Sequence, residues 1–412
     1  MTIGSSYDYP AERAAELANR RSAQADRPVS SGDEFRKAYE EGWKVGVLYS
    51  RTGVTSVTES EHFFGTALAI GELNSRGGVL GRAIDPVAYD PKGDPDDYRQ
   101  LAARLLFDDG ISVLFGCSTS SSRKAVLPVI ERTNSLLWYC SIYEGFEYSP
   151  NVIYTGAVPN QNSVQLAAYL LQRKSKRFFL VGADYIYPRE SNRIMREMVE
   201  QHGGEIVAEI YMPSDASEEE LGEVLGRVAS VEPDVVFSTL IGVGARRFYS
   251  LYRDSEIDSR RIPIASLTMA EGETQMIGAA RCEGHITAAT YFNSLDNDAN
   301  GRFLELWKDQ YGERPASMWS EMAYNQVHLF ALALERAGSL DTQKLVCAAH
   351  EVKFDSPEGI LSIDSENNHC VLTPRIGVCR PDGRFEVVWQ NPEPVAPDPY
   401  LSQYGFADFW LK

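Results

Sequence analysis

Apolar and amphipathic segments alternate along this chain from Lys44 onward. Short apolar runs such as KVGVLYS (44–50) and ISVLFG (111–116) are typical of buried strands. Between them, ESEHFFGTALAIGELNSRGG (59–78) and DPDDYRQLAARLLFDDG (94–110) carry apolar residues at helical spacing. Strands that alternate with helices of this length predict βαβ units and a parallel sheet.

The same alternation restarts after residues 151–160, NVIYTGAVPN, with the strand-like runs RFFLVGA, DVVFSTL and IPIASL. Two such series predict two doubly wound lobes. The rhythm changes near residue 303, where two helical segments follow one another before the strand-like runs GILSID, RIGVCR and RFEVVWQ. A chain that returns to the first lobe with helices and to the second with strands crosses between the lobes three times.

The predicted fold is therefore α/β and bilobal, with two doubly wound parallel-sheet lobes and a ligand cleft between them. We assign residues 1–41 to a polar N-terminal extension. Lobe 1 comprises residues 42–157 and 292–354, and lobe 2 comprises residues 158–291 and 355–412. In open α/β sheets, ligands bind outside the carboxyl ends of the strands, so those ends are the place to look for a site.

Composition narrows the function classes. The chain has 412 residues and a formal net charge of −18, which argues against direct nucleic-acid binding because phosphate backbones attract clustered Lys and Arg. The six cysteines form no CxxC pair, and no motif indicates a metal or another cofactor, so none is predicted. No apolar run is long enough to span a membrane, and no signal peptide is evident. We therefore expect a cytoplasmic protein, periplasmic only if the true start lies upstream.

Hydroxyl-bearing and aromatic residues follow several of the predicted strands. They supply the candidate ligand-binding residues: Ser118, Ser120, Tyr139, Ser141, Tyr143, Tyr185, Tyr187 and Thr268. Serines at a helix start often cap the helix, and for Ser120 both this interpretation and ligand binding stay open. Ring faces with interspersed hydroxyls suit a small, uncharged, hydrogen-bonding ligand.

Signals for catalysis are weak. Ser121 and Lys124 match the spacing of a serine-hydrolase SxxK tetrad, but the companion motifs are missing. GVGARR at residues 242–247 lacks the third glycine of a dinucleotide fingerprint. Cys117 follows a strand and could act as a nucleophile, although a buried structural thiol is the commoner case. We therefore predict a protein that is not an enzyme.

Several longer motifs resemble the AmiC family of amide-sensing negative regulators of bacterial aliphatic amidase operons. They include YEGFEYSPNVIYTGAVPNQNS, GADYIYPRESN, QHGGEIVAEIYMP and WQNPEPVAPDPY, and the resemblance covers roughly residues 44–400. Urea and short-chain amide binding proteins of ABC transporters look like the same fold, within the wider group of type I periplasmic binding proteins. The resemblance implies a bilobal clamp that closes on a small amide.

The resemblance also implies roles for particular residues. Ser120 and Tyr185 match positions that hydrogen-bond the amide, and Tyr139, Tyr187 and Thr268 match other pocket positions. Ser141 stands where the family has a threonine whose main chain helps to bind ligand.

Two departures from the family predict a changed pocket. Ser118 replaces a large aromatic residue of the family, and Cys140-Ser141-Ile142 replaces Pro-Thr-Pro. We therefore expect a larger or more polar amide, or a urea-like compound, as the ligand.

Two roles follow from these observations. The first is a cytoplasmic sensor of a small amide or urea-like ligand that controls an RNA-binding transcription antiterminator. The second is the solute-binding component of an ABC transporter for urea or short amides, which would require export. The sequence predicts no membrane contact and leaves a homo-oligomer open.

Overall fold

Two separate sheets form the framework of the computed structural model, which describes residues 42–402. The predicted extension, residues 1–41, lies outside the described residues, as do residues 403–412 of the predicted second lobe. The first sheet is entirely parallel, with the strand order β2-β1-β3-β4-β5. Its strands are β1 (Trp43–Leu48), β2 (Ile84–Tyr89), β3 (Val113–Gly116), β4 (Leu136–Tyr139) and β5 (Val152–Tyr154).

Three helices connect the strands of the first sheet: α1 (Ser56–Ser75), α2 (Pro95–Phe107) and α3 (Ser120–Arg132). The side chain of Asp94 caps α2, and Pro95 occupies its first turn, where a missing N–H costs nothing. Thr119 caps α3 by accepting a hydrogen bond from the backbone N–H of Ser122. Strands β3 and β4 are buried along their whole length, as expected for a parallel sheet covered on both faces.

The second sheet has seven strands in the order β15-β14-β10-β9-β8-β6-β7. Five are parallel: β6 (Arg177–Ala183), β7 (Glu205–Met212), β8 (Val235–Thr239), β9 (Ile264–Ser266) and β10 (Ile286–Ala289). The antiparallel strands β14 (Arg375–Cys379) and β15 (Phe385–Gln390) complete one edge. The accompanying helices are α4 (Ser163–Gln172), α5 (Ile186–Gln201), α6 (Glu218–Val231), α7 (Gly242–Asp254) and α8 (Glu271–Ile277).

After β10 the chain returns to the first sheet through α9 (Asp298–Tyr311), α10 (Met318–Ala337) and α11 (Thr342–Ala349). The Tyr311 hydroxyl donates a hydrogen bond to the carbonyl oxygen of Phe64 in α1 over 2.8 Å. Helices α1 and α10 approach so closely that a Cβ atom on Gly65 would lie 1.9 Å from the carbonyl oxygen of Ser320. The returning helices are thus built into the first half of the molecule.

A small antiparallel sheet lies on the last passage between the halves. It contains β11 (Lys353–Ser356), β12 (Gly359–Ile363) and β13 (Cys370–Val371). The imidazole ring of His369 stacks on the ring of Tyr154, with ring centroids 4.2 Å apart, and the Tyr154 backbone N–H donates to the carbonyl oxygen of Asn368. This sheet therefore anchors the passage to the edge strand of the first sheet.

These features confirm the predicted bilobal α/β fold with two mainly parallel sheets. The boundaries assigned to the two lobes stay a prediction. Among the helices within residues 42–402, none combines the length and apolar character needed to cross a bilayer.

Candidate ligand-binding cleft

A cleft enclosing about 760 Å³, part of it open to solvent, lies between the carboxyl ends of the strands of the two sheets. The first half lines it with residues that follow β1, β3 and β4. The second half lines it with residues that follow β6, β8 and β9. This is where the strand order of parallel α/β sheets is expected to create a binding crevice.

Six of the eight residues predicted from the sequence line this cleft: Ser118, Ser120, Ser141, Tyr185, Tyr187 and Thr268. They come from the segments that follow four strands, β3, β4, β6 and β9, and from both halves of the molecule, so the structure brings together residues up to 150 positions apart. Their participation in ligand binding stays a prediction.

Tyr139 and Tyr143 are not part of the lining; they lie behind it. The Tyr139 hydroxyl donates to the carbonyl oxygen of Ser118 over 2.7 Å and so holds the loop that follows β3. The Tyr143 hydroxyl bonds the carbonyl oxygen of Glu147 and the Nε2 atom of His369, at 3.1 and 2.5 Å. Both tyrosines therefore support the cleft wall from behind, which differs from the direct ligand contact expected of them.

Ser120 sits in the first turn of α3, where it is 2% exposed and donates its hydroxyl hydrogen to Glu144. Arg123, one turn further along, contacts Glu144 at 3.7 Å and bonds Glu147 at 2.6 Å. The guanidinium of Arg123 also lies over the Tyr139 ring, 4.7 Å from its centroid. A buried charged network thus fixes the direction of the Ser120 hydroxyl and leaves its oxygen lone pairs as acceptors toward the cleft.

The start of α3 also offers donors. The backbone N–H groups of Ser120 and Ser121 lie in the first turn, where no intrahelical carbonyl can accept from them. Such N–H groups, together with the helix dipole, favour a carboxylate or carbonyl oxygen.

Tyrosine hydroxyls from the second half complete the wall. Tyr187 and Tyr249 are at least 94% buried, and within residues 42–402 neither hydroxyl makes a hydrogen bond of good geometry, although Ser191 and Ser266 are close to them. Burial raises the pKa of both phenols, so they remain neutral donors. A buried donor without a partner is costly, and a bound ligand would satisfy it.

Several residues that line the cleft were not predicted from the sequence. Tyr249 on α7, Trp319 on α10 and Glu273 on α8 project from helices, and Thr55 and Thr58 belong to the loop and first turn after β1. The rule that ligands bind outside the carboxyl ends of strands pointed to the loops after β1 and β8. The sequences of these loops, however, contain no distinctive motif.

Glu273 is the one acidic side chain among the described residues that line the cleft. Its Oε1 accepts from the indole N–H of Trp319 and its Oε2 from the backbone N–H of Ala270, both over 3.2 Å. Burial, with contributions from Glu61 and Glu271, raises its pKa to about 8. Of the described lining residues, none is Lys or Arg.

Cys117 does not line the cleft. Its side chain is fully buried, and burial raises the pKa of its thiol well above the usual range. A thiol in this environment is a poor nucleophile, because the thiolate is the reactive form.

A family model described as the periplasmic binding protein domain matches residues 43–405 of this chain. The chain belongs to this family. A Leu/Ile/Val-binding protein homolog of Brucella melitensis is 26% identical over 342 residues, which cover 81% of this chain and 86% of that protein.

Solved structures show the same fold. A solute-binding protein of an ABC transporter from Rhodopseudomonas palustris, in complex with 3,4-dihydroxybenzoic acid, has a TM-score of 0.78 and 22% identity, covering 85% of this chain and 97% of that one. A branched-chain amino acid transporter substrate-binding protein from Streptococcus pneumoniae, in complex with isoleucine, has a TM-score of 0.75 and 20% identity, covering 87% and 100%.

These comparisons confirm the type I periplasmic binding protein fold expected from the sequence motifs. They do not indicate the AmiC-type amide regulators specifically. The expectations of an amide ligand and of an antiterminator partner are therefore unsupported at that level of detail.

Proposed function

We propose that this protein is the solute receptor of an ABC-type transporter and closes its two lobes around a small organic solute. The observation that carries the proposal is the cleft itself, whose two walls come from different sheets. A ligand that contacts both walls favours the closed arrangement by the difference in its affinity for the two states. Closure of this kind changes the surface that the receptor presents, so a membrane permease can distinguish the occupied receptor from the empty one.

The wall chemistry favours a ligand with an oxygen acceptor and an apolar body. Backbone N–H groups at the start of α3 and the phenols of Tyr187 and Tyr249 can receive a carboxylate or carbonyl oxygen. Val54, Ile142 and Leu240 offer apolar contact to the rest of the ligand. The related proteins named above bind amino acids or hydroxylated aromatic acids, which share this chemistry.

Binding without chemistry is the second part of the proposal. Ser120, whose hydroxyl lines the cleft, is hydrogen-bonded to a carboxylate and has no histidine or lysine beside it in the lining. The common activators of a serine nucleophile are a histidine or lysine that takes up its proton and then returns it to the leaving group. We infer that the ligand leaves the cleft unchanged.

A cytoplasmic amide sensor is the second candidate. The absence of Lys and Arg from the described lining favours it, since a neutral amide needs no counter-charge. In that case, the cell compartment would be the cytoplasm and the partner an RNA-binding antiterminator, as the sequence motifs imply. Fractionation of cells that express the chromosomal gene separates the two roles, because a transport receptor must be recovered outside the inner membrane.

Calorimetric titration tests the receptor function. The panel comprises leucine, isoleucine, 4-hydroxybenzoate, butyramide, acetamide and urea, and each ligand is recovered afterwards to check for products. We expect saturable binding of at least one ligand without product, and weaker binding in Tyr185→Phe. The matched control Tyr148→Phe alters an exposed tyrosine outside the cleft and should bind normally. No binding of any ligand, or turnover of a bound ligand, contradicts the proposal.

A further inference from the structure

We propose that Glu321 and Glu358 hold one proton in common, and that this proton fastens the last passage between the halves to helix α10. The passage comprises residues 350–374, which lie between α11 and β14 and carry the small antiparallel sheet. Loss of the proton would leave two negative charges side by side and loosen the passage. The proposal goes beyond the receptor function, because it concerns the empty protein and needs no ligand.

The two carboxyl groups come from different parts of the chain. Glu321 lies in the first turn of α10, which packs against α1, and Glu358 lies in the turn between β11 and β12. The side chain of Asn325 donates to Oε1 of Glu321 over 2.6 Å and to Oε1 of Glu358 over 3.2 Å. One amide nitrogen thus holds both carboxyl groups, so they lie next to each other where the passage meets the first half.

Arg375 joins the last two passages at the same place. It begins β14, and its guanidinium donates to the backbone carbonyl oxygens of Thr290, Thr373 and Glu358. Thr290 directly follows β10, where the chain leaves the second sheet, and Thr373 lies just before its return. The Nε–H group donates to Gln390 over 2.9 Å, so within residues 42–402 the hydrogen bonds of Arg375 go to neutral oxygens.

The carboxyl pair needs one more hydrogen than its neighbours supply. Both side chains are buried, and within residues 42–402 the Oε2 atom of each makes no hydrogen bond of good geometry, although the Glu358 backbone N–H and the Thr290 hydroxyl are close. An unpartnered buried oxygen is costly, and a proton turns one of these acceptors into a donor. One proton also leaves the pair with a single negative charge, which balances the charge of Arg375.

The groups that face the pair favour the proton. Burial, together with the neighbouring carboxyl group, raises the pKa of Glu321 well above its usual range, and burial raises the pKa of Glu358. Among the described residues, the other titratable groups near the pair are Arg375 on β14, Cys370 on β13 and Tyr291 after β10. Burial raises the pKa of the thiol and of the phenol, so both stay neutral and Arg375 supplies the nearby charge.

The shared proton makes the passage sensitive to rising pH. The fastened state holds the proton, whereas an opened passage exposes both carboxyl groups to water and releases it at their ordinary pKa. The fastening is therefore complete at acidic pH and is lost as the pH rises toward the raised pKa. Between about pH 5 and that raised pKa, each pH unit should favour the opened passage by up to about tenfold.

Hydrogen exchange measured by mass spectrometry tests the proposal on the empty, full-length protein. Protection factors of peptides that cover residues 353–363, the strands β11 and β12, are compared at pH 6 and pH 8 after correction for the intrinsic exchange rate. We expect the wild type to lose protection by up to about a hundredfold over this range. Glu321→Gln should lose none, because its amide can donate to Glu358 at either pH.

Two further variants separate the shared proton from a general effect of mutation. Glu366→Gln removes an exposed carboxyl group from the same passage and should behave like the wild type. Glu358→Gln should behave like Glu321→Gln, since either member can be the donor, and it replaces that variant if Glu321→Gln does not fold. Protection that stays constant in the wild type, or that falls equally in the wild type and the variants of the pair, would overturn the shared proton. The receptor function rests on the cleft and would stand in either case.

Discussion

The hydroxyl of Ser120 donates its hydrogen to Glu144, and this bond fixes the direction of a hydroxyl that lines the cleft. Glu144 is in turn within 3.7 Å of the Arg123 guanidinium. The serine oxygen therefore lies at the cleft wall as a hydrogen-bond acceptor, and the first-turn backbone N–H groups beside it are available as donors. One helix start thus offers both kinds of hydrogen bond within a few ångströms.

Ser120→Ala should weaken ligand binding about tenfold, because it removes one acceptor from the cleft and leaves Glu144 without its donor. Ser121→Ala is the matched control, since Ser121 occupies the same turn, is exposed and lies outside the lining. Calorimetric titration of both variants with the same ligand measures the effect. Equal affinities in the two variants would show that the Ser120 hydroxyl does not contact the ligand.

Removal of Arg123 should destabilise the protein far more than it alters any single ligand contact. Its side chain is fully buried and pairs with Glu147, with Glu144 close by, so Arg123→Met leaves two acidic groups without compensation. We expect a loss of about 3–5 kcal/mol in the free energy of unfolding, measured by urea denaturation. Arg132→Met, on the exposed end of the same helix, should change stability by less than about 0.5 kcal/mol.

The contact between α1 and α10 predicts opposite outcomes for two glycines of one helix. Gly65→Ala places a Cβ atom against the backbone of Ser320, so it should cost about 2 kcal/mol or more. Gly71→Ala has no atom within 4 Å of the new methyl group and should stabilise the helix by about 0.5–1 kcal/mol. Thermal and urea unfolding compare the variants, and two shifts of the same sign would contradict the close approach.

Glu59 predicts a specific pH dependence. The carboxyl group is buried and accepts from the Ser50 backbone N–H and the Tyr98 hydroxyl, yet burial raises its pKa to about 7. The folded state therefore holds this proton more tightly than the unfolded state, and stability falls as the pH rises from about 4.5 through 7.

The variant Glu59→Gln has no carboxyl group to titrate at this position, so this contribution to the pH dependence of stability is lost. Between pH 5 and pH 8 the stability of the wild type should fall, relative to the variant, by up to about 3 kcal/mol. Urea denaturation of both proteins at the two pH values isolates the effect, because the other titrating groups are common to both. A constant difference between the proteins would mean that Glu59 is ionised throughout.

Much of the fold follows from the periodicity of the chain. Runs such as RFFLVGA match β6, and the helical spacing of 59–78 matches α1 within three residues at either end. The small antiparallel sheet was harder to foresee. Lys353–Ser356 and Cys370–Val371 are short and lack a run of apolar residues, and tertiary pairing with β12 makes them strands.

The rule that ligands bind outside the carboxyl ends of the strands located the candidate site. It could not distinguish residues that line the cleft from residues that support its wall. Tyr139 closes β4, and its hydroxyl donates to the carbonyl oxygen of Ser118, so it supports a loop that lines the cleft without lining the cleft itself. Tyr249 and Trp319 reach the cleft from within helices. Their approach depends on how the halves pack, which no local pattern encodes.

The divided lining has a mechanical consequence. Since Ser120 and Tyr187 follow strands of different sheets, a molecule bonded to both would act as a removable cross-link between the two halves. Pulling the halves apart would have to break the ligand's bonds as well, so occupancy should raise the force needed to separate them. The resistance of the protein to force would then report the concentration of its ligand.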